Sequence, residues 1–437
     1  MNTGKNVRKN RSLRTAMKTG LLLAVVSALA VGLYGLTSLA APMMTAKPVA
    51  EATGSTVVPP EPGKTVPIKV SLSNVIEKNG KYVVKLDGGR EAVLSLDPRL
   101  QKKAESFLKS NRVAFGAVVA IEPSTGRVLA YADHSEFDPE FKYYNISKPY
   151  RAASLFKIIT AEAILTEKKV PLDEVLCYHG GKRRLNSKLL EDNPRRDNRC
   201  LTFEQAMGHS TNVVFARLAH KNLTPDILSR HAKAFMFDMP IPFELDVEPS
   251  VANIPADPEE MAIAAAGFGD VKVSPLHAAM IAATVANDGV MMRPFIIDEV
   301  RGADGTRVLG PSSELIGKVS TTAVAETLSS MMYMTTTEGT ARKAFRHKRG
   351  KLDFKHDIPI AGKTGSLADR EPFYHEYTWY TGFGPVDDPR IAVAALVINH
   401  RTWNTKGSYA AREIFEEFFK SRGAVAQAVK SRRMRLN

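Results

Sequence analysis

The chain has 437 residues, 44% of them hydrophobic and 24% charged, with a formal net charge of +14. These proportions are typical of a folded protein, and the length is ample for one large domain with appendages. The positive charge is concentrated at the ends, because residues 1–18 and 420–437 each carry six basic residues and no acidic one. Subtracting these twelve charges leaves +2 for the rest, which removes the electrostatic basis for binding nucleic acid.

We expect residues 1–19 to be a basic cytoplasmic tail and residues 20–41 to be a transmembrane anchor. Leu21 to Ala41 contains no charged residue and is long enough, as a helix, to cross a hydrocarbon core of about 30 Å. The basic residues before it place the tail in the cytoplasm and the rest of the chain outside. A cleavable signal peptide is the alternative, since Ser38-Leu39-Ala40 has small residues at cleavage-site spacing. Both interpretations export the remainder of the chain.

Residues 42–67 and 68–96 are predicted to be a linker and a small β element. The linker contains six prolines among small polar residues, which is typical of a semi-extended chain. In the β element, Asn79-Gly80 is a strong signal for a two-residue hairpin turn. The strands expected around this and the next turn are Val70–Glu77, Lys81–Leu86 and Ala92–Leu96. A unit of this size cannot build a core of its own, so we expect it to pack on the main domain.

Residues 97–420 are predicted to form the main domain, of α+β class, followed by a basic tail over 421–437. Its first helix begins at Asp97-Pro98, with proline at the first helical position. We expect an antiparallel sheet of about five strands, flanked by helices, from segments at both ends of the domain: Gly116–Glu122, Arg127–Ala132, Ile358–Ser366, Tyr377–Gly384 and Ile391–Asn399. A second, mostly helical lobe lies between them, and an amphipathic helix closes the domain; the clearest helical segments are Met261–Gly267, Pro275–Asn287 and Lys406–Phe419.

Cys177 and Cys200 are the only cysteines in the chain. An exported protein can keep such a pair as a disulfide, which is the state we predict, and two buried free thiols are the alternative. Neither cysteine has the spacing of a metal ligand, and we expect neither a metal nor a cofactor.

Ser154-Leu-Phe-Lys157 combines a candidate nucleophile with a candidate base. The apolar residues after it predict a buried helix, so Ser154 would lie in its first turn with Lys157 one turn away on the same face. Burial lowers the pKa of a lysine, and the neutral amine can then take the proton of the serine hydroxyl.

Two further strings complete a candidate acylation site. Ser210-Thr-Asn212 precedes a predicted helix, and its alternative interpretation is a helix N-cap made by either of its first two residues. Lys363-Thr364-Gly365-Ser366 lies on a predicted strand, where Gly365 would leave room for a substrate backbone. The N–H groups of Ser154 and Ser366 would together form an oxyanion hole.

Two of these patterns occur a second time. Ser106 to Lys109 also reads S-x-x-K, but it lies on a lysine-rich surface helix where the lysine keeps its proton. Lys18 to Gly20 also reads K-T-G, but it lies at the mouth of the predicted anchor. The context therefore favours Ser154 and Lys363.

Together the three strings resemble those of the penicillin-binding protein transpeptidases, within the group that includes the serine β-lactamases. The resemblance extends over about residues 96–420. It includes the segments Leu96–Gln101, Gly116–Gly126, Ala266–Gly269, Val273–Leu276, Ala286–Gly289 and Glu338–Ala341.

The resemblance implies a role for each matching residue. Ser154 would be the acylated nucleophile and Lys157 its general base. Ser210 would relay a proton to the leaving amine, and Asn212 would bind the substrate amide. Lys363 would be the cation that faces the substrate carboxylate. The substrate-binding strand residues are Thr364, Gly365 and Ser366. The implied partners are peptidoglycan stem peptides ending in D-Ala-D-Ala, β-lactams as covalent inhibitors, the bacterial cytoplasmic membrane and other cell-wall synthesis proteins.

Other activities remain open at this point. A D,D-carboxypeptidase, in which water replaces the acceptor amine, fits the same residues. A β-lactamase would need a deacylation base, and Glu248 to Asn253 is one residue too long for that pattern. A non-catalytic β-lactam or muropeptide sensor is disfavoured by the short tail before the anchor. Residues 42–95 are too few for a glycosyltransferase domain or a long pedestal, which leaves a division or elongation role in doubt.

Overall fold

The computed structural model describes residues 68–421, except 138–142, 144–145, 169, 182–184, 312, 349–351, 355, 370–374 and 401–404. The predicted cytoplasmic tail, anchor and linker, and the tail beyond residue 421, lie outside the described residues. In the part that is described, no helix is both long and apolar enough to cross a membrane.

The described elements run in groups of strands and of helices along the chain. The strands are β1 (Ile76–Lys78), β2 (Lys81–Lys85), β3 (Glu91–Leu94), β4 (Phe115–Ile121), β5 (Val128–Ser135), β6 (Tyr150–Arg151), β7 (Val175–Tyr178), β8 (Arg199–Thr202), β9 (Val251–Asn253), β10 (Asp270–Val273), β11 (Val290–Met292), β12 (Ile297–Arg301), β13 (Arg307–Leu309), β14 (Leu315–Lys318), β15 (Ala361–Asp369), β16 (His375–Gly384) and β17 (Ile391–His400). The helices are α1 (Pro98–Ser110), α2 (Lys157–Lys168), α3 (Phe203–His209), α4 (Asn212–Asn222), α5 (Pro225–Ala234), α6 (Pro258–Ile263), α7 (Pro275–Ala286), α8 (Thr322–Thr337), α9 (Arg342–Phe345) and α10 (Gly407–Ser421).

The main sheet has five strands in the order β15-β16-β17-β4-β5, and every neighbouring pair is antiparallel. The predicted sheet, drawn from both ends of the domain, is therefore confirmed. Both of its faces are buried. On β4, Val118 packs with α1 and α10 in one core, while Val119 points the other way and packs with α2 and α7 in a second core. The strand β15, which carries the K-T-G string, is left at an edge.

The small β element is part of a second five-stranded sheet, in the order β1-β2-β3-β12-β13. Asn79 and Gly80 have φ angles of 51° and 70°, the positive values that a type I′ hairpin turn requires. Pairing of β3 with β12 attaches the element to the main domain, as expected. The strand predicted over Val70–Glu77 begins only at Ile76. Before it, Leu72–Asn74 form a 3-10 turn in which the Ser71 side chain accepts a hydrogen bond from the N–H of Ser73.

The helical lobe is built around α2, whose residues from Lys157 to Leu165 are all buried. The helix predicted over Met261–Gly267 divides into α6 and a π-helical turn over Ala264–Phe268, and Gly267 within this turn has a φ of 92°. The Thr160 hydroxyl donates to the carbonyl of Ala265 at 2.8 Å. This bond ties α2 to the π-helical turn.

The hairpin of β7 and β8 is closed by a disulfide between Cys177 and Cys200, which lie opposite each other in the ladder. The loop between the two strands is held by Arg217 of α4, a buried residue. Its guanidinium donates to the Asp197 carboxylate at 2.8 Å and to the carbonyl of Leu189 at 2.8 Å. The hydrogen bonds from Arg217 hold the pKa of Asp197 well below its usual range, so this pair is ionic.

Candidate active site

The nucleophile segment, Arg151 to Ser154, is fixed by contacts from three other elements. The N–H of Ala152 donates to the carbonyl of Val271 on β10, and Trp379 of β16 donates its indole N–H to the carbonyl of Arg151; both distances are 2.9 Å. Gly267, in the π-helical turn, packs so closely that a Cβ there would lie 2.4 Å from the carbonyl oxygen of Ala153.

Ser154 lies in a 3-10 turn over Ala153–Phe156, and α2 begins only at Lys157. The expected first turn is therefore present, but it is a 3-10 turn that continues directly into α2 instead of an α-helical turn. Ala153 has a φ of 47°, in the left-handed region, so a right-handed helical conformation can begin no earlier than Ser154.

Lys157 is fully buried, and its Nζ lies 2.7 Å from Oγ of Ser154 and 2.6 Å from Oδ1 of Asn212. Burial lowers the pKa of this lysine well below its ordinary value, and the nearby charge of Lys363 lowers it further. A neutral amine has one lone pair and two N–H groups. It can thus accept the proton of Ser154 while it donates to Asn212.

Ser210 lies between the two lysines. Its Oγ is 3.5 Å from Nζ of Lys157 and 2.8 Å from Nζ of Lys363. It ends α3 in the left-handed conformation, with a φ of 56°. Thr211 is the N-cap residue of α4 but makes no capping hydrogen bond with its side chain. The capping interpretation of this string is therefore wrong.

Lys363 is fully buried at the edge of the sheet, and burial lowers its pKa to about 7. Thr364, the next residue, is half-buried, and Ser366 is exposed. A Cβ on Gly365 would lie 3.1 Å from the carbonyl oxygen of Ala152. The protein's own nucleophile segment thus approaches Gly365 closely, and the role of Gly365 in substrate binding stays a prediction.

Asn212 connects the site to the disulfide-closed hairpin, since its Nδ2 donates to the carbonyl of Gly181 at 3.4 Å. Gly181 lies just after β7, in the loop that Arg217 and Asp197 hold in place. Sequence reasoning missed this pair, because an arginine in a helix and an aspartate in a loop carry no local signal of their contact.

The second copies of the motifs lie elsewhere. Ser106 and Lys109 are both on α1, where Lys109 is exposed, and Lys18 to Gly20 lies outside the described residues. His209, beside Ser210, is exposed. Across the described ranges, no group of three or more His, Cys, Asp and Glu side chains is arranged to hold a metal ion.

The fold and the site define a class of protein. A serine hydroxyl at hydrogen-bonding distance from a buried lysine amine, with a second buried lysine on the edge strand of an antiparallel sheet, is the arrangement of a serine acyltransferase. A family model described as the penicillin binding protein transpeptidase domain matches residues 116–420. The chain belongs to that family.

Relatives of known name are similar to most of the chain. The peptidoglycan D,D-transpeptidase PbpA of Mycolicibacterium smegmatis is 28% identical over 335 residues, which are 69% of this chain and 66% of that protein. The stage V sporulation protein D of Bacillus subtilis is 26% identical over 71% of this chain and 50% of its own length. The match thus spans half to two thirds of these relatives.

Solved structures agree with the fold. The D,D-transpeptidase domain of a peptidoglycan glycosyltransferase from Eggerthella lenta has a TM-score of 0.64 at 26% identity, covering 78% of this chain and 86% of that one. Penicillin-binding protein A of M. tuberculosis, as an imipenem acyl-enzyme complex, has a TM-score of 0.61 at 25% identity, covering 75% and 79%.

Proposed function

We propose that this chain is a D,D-transpeptidase, which is acylated on Ser154 by the D-Ala-D-Ala end of a peptidoglycan stem peptide and passes the acyl group to a second stem. The observation that carries the proposal is the buried Lys157 amine, 2.7 Å from the Ser154 hydroxyl and held there by Asn212. The names of the relatives and the acyl-enzyme complex of a related structure support the same chemistry.

Acylation begins with the neutral amine of Lys157. It takes the proton of Ser154 as Oγ attacks the carbonyl carbon of the penultimate D-alanine. The C–N bond to the terminal D-alanine then breaks, and the leaving amine needs a proton. Ser210 supplies its own proton and regains one from a lysine ammonium, because its Oγ lies between Lys157 and Lys363.

The second half of the reaction returns the enzyme to its starting state. An amine of the acceptor stem attacks the Ser154 ester, a new amide bond forms, and Ser154 leaves with a proton. A β-lactam would acylate the same serine, but its leaving amine stays tethered. The protonated form of Lys363 attracts the carboxylate of either ligand, with Thr364 and Ser366 as hydrogen-bond donors. The N–H groups of Ser154 and Ser366 are proposed as the oxyanion hole.

Labelling of the detergent-solubilised full chain with a fluorescent penicillin tests this assignment. We expect one covalent label per chain, lost in Ser154→Ala and retained in Ser106→Ala, the matched change in the second S-x-x-K string. Labelling of Ser154→Ala, or no labelling of the wild type, would contradict the proposal.

The acceptor of the acyl group distinguishes a transpeptidase from a carboxypeptidase at this site. Incubation with a D-Ala-D-Ala pentapeptide and a labelled D-amino acid should yield the exchanged peptide. Release of D-alanine with no exchange would instead identify a carboxypeptidase. A β-lactamase is disfavoured, because Glu248 is exposed and Asn253, its expected partner, donates its side-chain amide to Asp270 at 2.8 Å.

We further propose that residues 20–41 anchor the enzyme in the bacterial cytoplasmic membrane, with the catalytic domain outside. Support comes from the uncharged run of Leu21 to Ala41 and the basic residues before it. The partners would then be stem peptides and other proteins of cell-wall synthesis.

A further inference from the structure

Thr340 lies outside the three motif strings, yet its hydroxyl contacts one of them. It comes shortly after α8, and its Oγ1 is 2.5 Å from Oγ1 of Thr364 on the edge strand. Its backbone N–H donates to the carbonyl of Gly208 at 3.1 Å, two residues before Ser210. Gly339 packs against the same carbonyl, where a Cβ would lie 2.0 Å from the oxygen. The backbone around Thr340 is therefore fixed, while its side chain is exposed.

The protons of these two hydroxyls can be assigned in two ways. Each threonine has one proton to donate, and the carbonyl of Gly208 can only accept. If Thr340 donates to Gly208, at 3.5 Å, then Thr364 donates to Thr340 and has no proton left for a ligand. If Thr340 donates to Thr364, the proton of Thr364 is free for a ligand.

The arrangement in which Thr340 donates to Thr364 costs little free energy. The carbonyl of Gly208 keeps its backbone hydrogen bond from Thr340, so no buried acceptor loses its last partner. The bond that is given up is the long one, at 3.5 Å. In addition, a hydroxyl that accepts a hydrogen bond becomes a stronger donor in its own. Nζ of Lys363, 2.9 Å from the carbonyl of Thr364, brings a cation to the same place when it is protonated.

We propose that Thr340 is a positioning residue that makes the site selective for ligands with an anionic carboxylate. When such a ligand binds, Thr340 turns its proton onto Thr364, and Thr364 donates to the carboxylate. Thr340 thus acts through Thr364. The proposal rests on the proposed function, and it adds a residue to the recognition of the substrate terminus.

The test compares a carboxylate with its neutral ester. Thr340→Val keeps the shape of the side chain and removes the hydroxyl. Thr364 can then still donate to the carboxylate, but it loses the hydroxyl that orients it and strengthens it as a donor. We therefore expect the second-order rate of acylation of the full chain by benzylpenicillin to fall about fivefold, the size of an ordinary neutral hydrogen bond. Acylation by benzylpenicillin methyl ester should change less than about twofold, since the ester has no anionic charge to bind. Thr340→Ser should restore the wild-type ratio of the two rates.

Controls separate this role from a structural one. Thr337→Val removes a hydroxyl from the end of α8 that donates to Tyr333 within the helix, and it should leave both rates unchanged. Equal losses with acid and ester in Thr340→Val would overturn the proposal in favour of a structural role. No loss with either ligand would also overturn it. Failure of the wild type to be acylated at Ser154 would instead refute the proposed function.

Discussion

At the scale of single residues, the site depends on two lysines that are both removed from water. Lys157 is placed to be a base because its neutral form is favoured, and Lys363 is placed to be a cation that loses its charge near neutral pH. Ser210 lies between them and contacts both amines. One hydroxyl thereby connects the proposed base to the lysine that is proposed to face the substrate carboxylate.

The pKa of Lys363, about 7, predicts where the rate of acylation falls on the basic side of its pH profile. Below this pH the lysine is charged and attracts the carboxylate, and above it the charge is lost. The second-order rate of acylation reports the free enzyme, so it should fall as the pH rises through about 7. In Lys363→Arg the side chain stays charged well above neutral pH. We therefore expect the acylation rate of this variant to be lower overall and to fall only above about pH 9.

The measurement is the rate of acylation by benzylpenicillin between about pH 5 and pH 10, a range that spans the ordinary and the lowered pKa of a lysine. Lys109→Arg makes the same change at an exposed lysine of α1 and should leave the profile unaltered. A basic limb that stays near pH 7 in Lys363→Arg would assign it to another group.

At the scale of elements, the nucleophile turn is held by a π-helical turn that sequence periodicity does not predict. Gly267 has a φ of 92° and packs against the peptide between Ala153 and Ser154. A side chain at this position would meet backbone atoms, which cannot move aside without displacing Ser154. The positive φ and the close approach each require glycine.

Gly267→Ala should therefore slow acylation by benzylpenicillin at least about 100-fold, because a displacement of about 1 Å at a reacting group costs that much. Gly305→Ala is the matched control. Gly305 has a φ of 82° as well, but a Cβ there meets nothing within 4 Å.

Both variants should lose about 1–2 kcal/mol in the free energy of unfolding from the left-handed backbone alone. Only Gly267→Ala should also lose acylation. Thermal unfolding and the acylation rate, measured on the same preparations, distinguish the two effects. Equal acylation rates in the two variants would show that the contact with Ala153 does not position the nucleophile.

The hairpin of β7 and β8 serves the site from a distance. The disulfide closes its strands, and the ionic pair of Arg217 and Asp197 holds the part of the loop that leads into β8. The same loop begins with the carbonyl that Asn212 contacts. Covalent and ionic restraints thus act on one side chain of the site through the backbone of Gly181.

At the scale of the whole molecule, the main sheet joins the two ends of the described domain. Its central strand β17 pairs with β4, so the last of the described strands completes the sheet that the first hairpin of the domain begins. Helix α10 then buries its apolar face on this sheet. The catalytic unit is accordingly a single α+β body, attached by β3 to the small β element.

A chain that begins at residue 68 should therefore fold and be labelled by fluorescent penicillin at the wild-type rate. It should also remain in the supernatant when membranes are sedimented, whereas the full chain should sediment with them. Full chain found in the supernatant would contradict the proposed anchor. A truncated chain that sediments with membranes would indicate a second contact with the lipid.

Several features could be predicted from sequence because their causes are local. The turn at Asn79-Gly80 depends on two residues that tolerate positive φ, and the start of α1 depends on a capping aspartate with proline next to it. The apolar run after Ser154 likewise predicts the burial of Lys157. Local backbone preferences and the hydrophobic pattern are sufficient for these predictions.

Only the tertiary structure decided how the parts meet. Lys363 contacts Ser210 across 153 positions of sequence, and Thr340 contacts Thr364 across 24. Gly365 lies against the nucleophile segment, a contact that the strand pattern does not reveal. Such contacts depend on the packing of whole elements, for which no local pattern exists. The sequence alone therefore determined which residues carry the chemistry, and the packing of the edge strand against α8 and the 3-10 turn that carries Ser154 decided which of them touch.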